Sequence, residues 1–381
     1  MAIVKPIDRP PSRPLRIAMV VPPWYELPPA GYGGIEAMCS VLIDKLSDRG
    51  HDVVVLGAGS RCGTAGTFVS LMDEPQHQRL GEVMPAALHA ARVGRILRRG
   101  AFDVVHDHSP AGPLTAYHHG SPTVVTVHGS PVGELGDFLA NLDDRVRPVA
   151  ISRSQRQSRP DLDWLATVHN AVDLSQFVAR PATDGPALWL ARMSPDKGAD
   201  LAIEACRRAG VPLVLAGKCS EPAERRYFDS VIRPMLGDDV EVVLDADRQT
   251  SLRLLARSRC LILPIRWEEP FGMVMIEAMA SGRPVVALRR GSVPEVVVDG
   301  VTGWICDTVD DLPAALHRTP ELDPQACVAH VRAAFGADLM AHRYEVVYRR
   351  ATDQARRAGA RRPATGRAAL PALQAASSPS A

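Results

Sequence analysis

The segment spanning residues 264–284, PIRWEEPFGMVMIEAMASGRP, combines a turn suited to an anion with two spaced carboxylates. A buried strand is predicted to end at Pro264, and a Pro-Phe-Gly sequence then leads into a helix. The free N–H groups and the positive dipole end of a helix N-terminus favour a phosphate or a diphosphate. Glu277 lies roughly one and a half turns inside that helix. Its carboxylate can therefore accept hydrogen bonds from a vicinal diol such as a ribose.

Two further carboxylates, Glu268 and Glu269, precede this helix in the loop. Glu269 lies where a sugar attached to the phosphates would be expected. The alternative is that Glu268 and Glu269 are solvated and that Glu277 is an ordinary helix residue. We favour a functional Glu277, because its neighbours are almost wholly apolar and a buried carboxylate is rare without a partner.

The cations that could bind a diphosphate follow predicted strands. Only four of the 44 basic residues are lysines, so a lysine at a strand end is informative. Arg192 and Lys197 come after the strand at 187–190, and Lys218 is a weaker candidate after the next strand. Charged side chains at this position suit a diphosphate. The alternative is a solvated loop without a ligand.

A glycine-rich turn, Tyr32-Gly33-Gly34-Ile35-Glu36, follows the first predicted strand. Glycines at a strand-to-helix turn let a ligand approach the backbone. Gly34 is a candidate residue of the donor site, and Gly33 and Glu36 are candidates on the acceptor side. A tight turn without a ligand is equally compatible with the sequence. The nicotinamide fingerprint G-x-G-x-x-G is absent, which argues against an oxidoreductase.

Histidines form the last candidate group. His128 ends the strand TVVTV, and a polar contact at the cleft is expected for it. His106 and His108 flank Asp107 after another strand, and His108 is a candidate on the acceptor side. No third ligand has a convincing spacing, so no metal site is predicted. Glu295 opens a further helix, where an acidic residue ordinarily complements the helix dipole.

These residues are expected on two tandem doubly wound α/β units with parallel sheets, because apolar strands and amphipathic helices alternate along the chain. The predicted units span residues 15–172 and 186–333, with a linker at 173–185. A last helix is predicted at 334–358, and it has five positions that only loosely fit a packed face: Phe335, Leu339, His342, Val346 and Tyr348. Residues 1–14 and 359–381 are predicted mobile tails. Two facing units make a cleft at the carboxyl ends of their strands.

Composition excludes several classes of protein. The formal net charge is +1, from 44 basic and 43 acidic residues, which argues against a nucleic-acid binder. Seven scattered cysteines without a Cys-x-x-Cys pair fit a reduced cytoplasmic protein. No apolar run approaches the ~18 residues of a spanning helix. Residues 86–99, AALHAARVGRILRR, predict a basic helix that could touch the inner face of a membrane, although a helix packed on the sheet is favoured.

Together the motifs resemble glycosyltransferase family 4, whose signature is two glutamates separated by seven residues, here Glu269 and Glu277. The resemblance spans most of residues 15–350 and includes YGGIE, DVVHDHS, TVHGS, AISRSQR, HNAVD, ARMSPDKG, EPFGMVMIEAMASGRPVV and GSVPEVVVDGVTG in the family's order. It implies a retaining, nucleotide-sugar-dependent transferase with a GT-B fold. In that fold the last helix, here at 334–358, returns to the first unit. One departure is Ala191, where the family often has glycine.

For the donor, the resemblance implies that Arg192 and Lys197 hold the diphosphate and that Glu277 binds the ribose. Backbone contacts near the sugar and phosphates are implied for three consecutive residues, Phe271, Gly272 and Met273.

On the sugar side, the resemblance implies that Glu269 contacts the hydroxyls of the transferred sugar. It also implies that His128 contacts the sugar and supports the developing charge through its backbone or its ring, so that Glu269, His128, Arg192 and Lys197 are the catalytic residues. Gly34 is implied to line the cleft from the first unit. No firm role for His106, Asp107 or His108 follows from the family.

The implied reaction is transfer of a hexose from a UDP- or GDP-hexose to an unidentified acceptor, which is a glycan, a lipid or a small molecule. Retention is expected by a front-face route without a metal or any other cofactor, since protein cations stabilise the leaving diphosphate. The alternatives are an epimerase or a phosphorylase of the same architecture, or a non-catalytic protein that binds nucleotide sugars.

Overall fold

The computed structural model describes residues 13–179, 181 and 184–361, with side chains up to residue 357. The predicted tails lie outside the described residues, apart from residues 13–14 and 359–361. Residues 359–361 continue the last helix.

The N-terminal unit is a seven-stranded parallel sheet, and each central strand is a run of buried apolar residues. Runs of this kind are typical of parallel strands covered on both faces. The strands are β1 (Arg16–Val20), β2 (Asp52–Ala58), β3 (Thr67–Met72), β4 (Val104–Asp107), β5 (Thr123–Val127), β6 (Val146–Ala150) and β7 (Ala166–Thr167). The helices are α1 (Gly34–Asp48), α2 (Val83–Leu97), α3 (Glu134–Ala140) and α4 (Arg153–Ser158). The strand order is β3-β2-β1-β4-β5-β6-β7.

The C-terminal unit repeats this architecture with six parallel strands in the order β10-β9-β8-β11-β12-β13. The strands are β8 (Ala187–Leu190), β9 (Leu213–Gly217), β10 (Val240–Leu244), β11 (Cys260–Leu263), β12 (Val285–Leu288) and β13 (Gly303–Cys306). The helices are α5 (Ala199–Ala209), α6 (Pro222–Tyr227), α7 (Arg248–Arg257), α8 (Met273–Ala280), α9 (Val293–Val296), α10 (Leu312–His317), α11 (Pro324–Ala334) and α12 (Ala337–Arg361). The predicted fold of two doubly wound parallel sheets is thereby confirmed.

The sequence does not predict strands β3 and β13. Both lie at an edge of their sheet, and β3 is exposed or only partly buried over its first four residues. Their sequences, TFVSLM and GWIC, lack the runs of β-branched residues that are typical of strands and that the edge strand β10 (VEVVL) has. In both sheets the order reverses beside the first strand, between β1 and β4 and between β8 and β11. A crevice for ligands forms at that point, at the carboxyl ends of the strands.

Helix α12 packs against the N-terminal unit although it follows the C-terminal one. Its buried positions Met340, Ala341, Tyr344, Val347 and Tyr348 join the core formed by α1 and the N-terminal sheet.

Of the five residues expected on this packed face, only Tyr348 lies in that core. Phe335 precedes α12 and packs in the core of the C-terminal unit, and Leu339, His342 and Val346 lie outside the core of the N-terminal unit. The Val346 side chain is 52% exposed, and the His342 side chain is 49% exposed. The buried face of α12 is displaced by one or two positions from the face expected from the sequence, so Tyr344 and Val347 are buried in the core.

Polar side chains fix the position of this helix. The Tyr348 hydroxyl and His106 Nδ1 are hydrogen-bonded at 2.8 Å, and His106 Nε2 bonds to Thr126 Oγ1 at 2.8 Å. Glu345 accepts hydrogen bonds from Arg49 and pairs with His51 Nε2 at 2.9 Å. His106 is therefore a buried structural residue beneath α12.

We predict that Tyr348→Phe lowers the free energy of unfolding by about 1–3 kcal/mol, since it leaves a buried nitrogen of His106 unpaired. Tyr117→Phe is the matched control, because Tyr117 is 52% exposed and its change is expected within about 0.5 kcal/mol. Urea denaturation of both variants measures the difference. Equal stabilities would show that the hydrogen bond does not hold α12 in place.

Candidate active site

Two loops of the C-terminal unit lie side by side at the carboxyl ends of β8 and β11. Gly198 has a left-handed backbone (φ 69°), and a Cβ atom there would lie 2.1 Å from the carbonyl oxygen of Pro264. Only glycine permits this approach. The Arg266 N–H donates to the carbonyl oxygen of Asp196 at 2.8 Å, so the loops are also joined by their backbones.

This approach joins Lys197 to Glu269, the two residues that sequence analysis assigned to phosphate and sugar. Lys197 Nζ donates to Glu269 Oε2 at 2.6 Å and lies 4.3 Å from the centre of the Trp267 ring. Trp267 Nε1 donates to the same carboxylate oxygen at 3.1 Å. Both charged side chains are largely buried, with exposures of 15% and 11%. A buried pair of this kind is costly to break from one side, so the two groups hold each other in position.

Arg192 is the more available cation of the two. Its side chain is 38% exposed, and Asp196 is 3.9 Å away. Its buried Nε has no hydrogen-bond partner within the described part of the chain. An unsatisfied guanidinium at the cleft is well suited to a diphosphate.

The helix N-terminus that follows is shaped by a third loop. Gly291 has φ 50°, and a Cβ atom there would lie 2.3 Å from the backbone N and O atoms of Glu269. The Ser292 N–H donates to the Glu269 carbonyl oxygen at 2.9 Å, and Ser292 Oγ donates to the Phe271 carbonyl oxygen at 2.8 Å. The N-cap of α8 is the left-handed Gly272, and no side chain of the described residues caps it. The first N–H groups of α8 therefore stay available to an anion.

Glu277 has a partner that the sequence did not reveal. Arg248, the first residue of α7, donates to Glu277 Oε1 at 2.7 Å, and its guanidinium lies 5.2 Å from the centre of the Phe177 ring. The two partners are 29 residues apart, so spacing alone carries no signal of the pair. Arg248 orients the carboxylate that the sequence assigns to a ribose.

Lys218 is already neutralised by two acids. Its ammonium donates to Glu221 at 2.6 Å and to Glu224 at 2.9 and 3.0 Å, and its side chain is 6% exposed. Two carboxylates outweigh one ammonium, so this geometry does not favour an anion beside Lys218. Its donor-binding role remains a prediction that the surroundings weaken.

The glycine-rich turn of the N-terminal unit meets α8 across the cleft. A Cβ atom on Gly34 would lie 3.8 Å from Met273 Cγ, so the first residues of α1 and α8 are neighbours. Gly33 has φ 147°, and a Cβ atom there would lie 2.8 Å from Pro29 Cβ. Glu36 is only 3% exposed, and burial raises its pKa to about 8. The Glu36 carboxyl is therefore not accessible for the contact with an acceptor that the sequence predicts.

The two cleft histidines form a neutral pair. His108 Nδ1 and His128 Nε2 lie 2.9 Å apart. Burial lowers the pKa of His128 to about 4 and holds the pKa of His108 well below its usual range. Asp107, between His106 and His108, accepts hydrogen bonds from Ser109, while burial raises its pKa to about 7. Neither histidine can act as a cationic acid near pH 7.

Glu295 links the C-terminal unit to the N-terminal unit. The sequence predicted only that this carboxylate would complement the dipole of its own helix. Its carboxylate accepts hydrogen bonds from the N–H groups of Arg153 and Ser154, at the start of α4, and pairs with His169 Nε2 at 2.6 Å. Burial raises the pKa of this carboxyl, but the hydrogen bonds from His169 and the backbone outweigh it and hold the pKa below its usual value.

The described residues contain no group of three or more His, Cys, Asp or Glu side chains arranged to hold a metal. They also contain no helix that is long and apolar enough to cross a membrane.

The two facing parallel units, with their cations and helix N-terminus at the cleft, define a protein of the GT-B class. Two family models match the chain: Glycosyltransferase Family 4 over residues 32–179 and Glycosyl transferases group 1 over residues 174–319. The chain is a GT-B glycosyltransferase of the family 4 type.

Two similar proteins support the assignment of the chain to this family. The chain is 28% identical to a glycogen synthase of Mycobacterium tuberculosis, over 84% of this chain and 89% of that protein. It is 26% identical to a phosphatidyl-myo-inositol mannosyltransferase of Mycolicibacterium smegmatis, over 87% and 90%.

Among solved structures, AviGT4, a glycosyltransferase involved in avilamycin A biosynthesis, is 26% identical, with a TM-score of 0.68 over 89% of this chain and 98% of that chain. Anabaena HepE in complex with UDP-glucose is 17% identical, with a TM-score of 0.65 over 87% and 98%, and shows the same fold.

We predict that Glu36→Gln makes the stability of the protein less dependent on pH. The raised pKa means that the wild type loses stability as pH rises from about 4.5 to about 8, because the unfolded chain ionises first. The variant should gain on the order of 4 kcal/mol relative to the wild type at pH 8 and nothing at pH 4. Urea denaturation across this range measures the gain. A gain that is independent of pH would show that the pKa of Glu36 is not raised.

Proposed function

We propose that the chain is a retaining glycosyltransferase that moves a hexose from a UDP- or GDP-hexose to an acceptor held by the N-terminal unit. The observation that carries the proposal is the group formed by Arg192, the Lys197–Glu269 pair and the uncapped N-terminus of α8. It sets two cations and free N–H groups beside a carboxylate that can bind sugar hydroxyls. A diphosphate joined to a hexose has this pattern of charge.

In this proposal the donor lies across the C-terminal edge of the second sheet. The diphosphate contacts Arg192, Lys197 and the N-terminus of α8, and the ribose hydroxyls hydrogen-bond to Glu277. Arg248 already holds Glu277 at 2.7 Å, so the carboxylate is oriented before the donor arrives. The hexose lies near Glu269 and His128.

We propose a front-face route for the transfer, with Glu269 as a residue that binds the sugar. Lys197 and Trp267 both hydrogen-bond to Glu269 Oε2, which fixes the carboxylate and leaves Oε1 for a sugar hydroxyl. In the front-face route, the bond to the leaving diphosphate breaks as the acceptor oxygen approaches the same face, and the acceptor proton passes to the diphosphate.

The charge on the leaving group is stabilised by protein groups in this proposal. Arg192, Lys197 and the α8 dipole together supply the positive field that a divalent metal supplies in other transferases. His128 is neutral near pH 7, so it contributes hydrogen bonds and not a positive charge. The proposed enzyme therefore needs neither a metal nor an organic cofactor.

We predict that one of UDP, GDP and ADP binds the wild-type protein in calorimetric titration and that Arg192→Ala weakens its binding by about 10- to 100-fold. Arg208→Ala is the matched control, since Arg208 lies on α5 in an ion pair with Asp310. It should keep the wild-type affinity. Absence of binding by all three nucleotides to the folded protein, or equal affinities of the two variants, would contradict a diphosphate site at Arg192.

We further propose that the protein is cytoplasmic and touches the inner face of the membrane through α2. One face of this helix packs on the sheet with Ala90, Val93 and Leu97. The other face leaves Val83, Met84 and Leu88 exposed, together with three exposed arginines, Arg95, Arg98 and Arg99. Exposed apolar side chains beside arginines are suited to an anionic bilayer surface.

We expect the wild-type protein to sediment with vesicles containing phosphatidylglycerol at low salt. Replacing Arg95, Arg98 and Arg99 with glutamate should abolish sedimentation, because ~1 kcal/mol of attraction per cation becomes repulsion. The control carries the same change at three exposed arginines elsewhere, Arg225, Arg226 and Arg332. Wild-type protein that stays in the supernatant would eliminate the membrane contact.

A further inference from the structure

A cavity of about 160 Å³ opens in the N-terminal unit beside the carboxyl ends of β4 and β5. Its wall comes from the loops after β1 and β4, from β5 and from α3. Most of the wall is apolar, and it includes Trp24, Ile35, Val127, Leu135, Phe138 and Leu139. A space of this size is enough for one ring of six heavy atoms, since apolar cavities of about 150 Å³ bind benzene.

The main polar feature of the wall is the pair of His108 and His128. His108 is 4% exposed, and its Nε2 has no hydrogen-bond partner among the residues that the structure describes. Burial lowers the pKa of both histidines, so both rings are neutral at pH 7. A neutral imidazole nitrogen either donates to or accepts from one hydroxyl group. A buried nitrogen without a partner is therefore a reason for a ligand hydroxyl to bind here.

The cavity adjoins the site of the proposed reaction. Ile35 in its wall follows Gly34, which lies against Met273, the first residue of α8. His128 belongs both to the cavity wall and to the predicted sugar site. A molecule in the cavity would thus lie on the N-terminal side of the cleft, next to the helix N-terminus that faces the donor.

We infer that this cavity binds the apolar ring of the acceptor, a small aryl or alicyclic alcohol whose hydroxyl bonds to the His108–His128 pair. A sugar ring is a poor occupant, because each of its hydroxyl groups would need a polar partner, and the other polar side chains of the wall, Ser109 and Thr126, are already hydrogen-bonded within the protein. The description of the ring as part of an acceptor rests on the proposed transferase function. Binding of the ring does not depend on catalysis and is measured separately.

The test uses saturation-transfer NMR with phenol, cyclohexanol and glycerol as probes on the full chain. Phenol and cyclohexanol should give saturable signals, and glycerol should give none. Leu135→Trp fills the cavity and should weaken phenol binding by about tenfold or more. Leu142→Trp is the matched control, because Leu142 packs on the same apolar cluster as Leu135 but does not line the cavity. It should bind phenol as the wild type does.

A second variant covers the case in which Leu135→Trp fails to fold. Phe138→Ala enlarges the cavity and should shift the preference from phenol to the two-ring alcohol 2-naphthol. Phenol that does not bind the wild type, or that binds all variants equally, would overturn the inference.

Nucleotide titration of the same samples separates the two proposals. If UDP or GDP binds and phenol does not, the assignment of the cavity fails while the transferase proposal stands. If phenol binds as expected and no nucleotide does, the ring site stands and the proposed function fails.

Discussion

The proposed activity depends on cationic side chains and free N–H groups that remain available to an anion at the carboxyl edge of the second sheet. Three loops converge there, and two glycines, Gly198 and Gly291, allow their backbones to approach within distances that a Cβ atom would prevent. The convergence seats Lys197 on Glu269, leaves Arg192 Nε without a partner among the described groups, and leaves α8 without a side-chain cap. Unsatisfied positive groups are costly without a ligand, so they mark the place where an anion is expected to bind.

The N-terminal unit must also stay close to these cationic groups of the C-terminal unit. Two sets of contacts help to hold it there. Helix α12 buries Tyr344 and Tyr348 in the core of the N-terminal unit, and Glu295 bonds to the start of α4 and to His169. A contact between Gly34 and Met273 then brings the two helix N-termini together. Further contacts between the units add to these, among them the Arg248 N–H on the Ala30 carbonyl oxygen and the packing of Ile151 in the core of the C-terminal unit.

Much of this arrangement can be predicted from the sequence, because central strands and glycine-rich turns carry strong local signals. Strands β5 and β8 end where the apolar runs end, and the family resemblance orders the motifs. Pairings across the fold carry no such signal. Arg248 on Glu277, the two acids on Lys218, and Glu295 on α4 join residues whose proximity arises only from tertiary packing. Strands β3 and β13 are missed because neither is a run of β-branched residues, whereas the edge strand β10 is one.

The central claim is that the diphosphate of the donor lies between Arg192, Lys197 and the N-terminus of α8. A crystal structure of the protein soaked with the tightest-binding nucleoside diphosphate tests it most directly. The account predicts phosphate oxygens within hydrogen-bond distance of Arg192, Lys197 and the Met273 N–H, with the ribose on Glu277. Density for the nucleotide elsewhere, such as at the turn of Gly33 and Gly34 with Arg192 still unpaired, would contradict it.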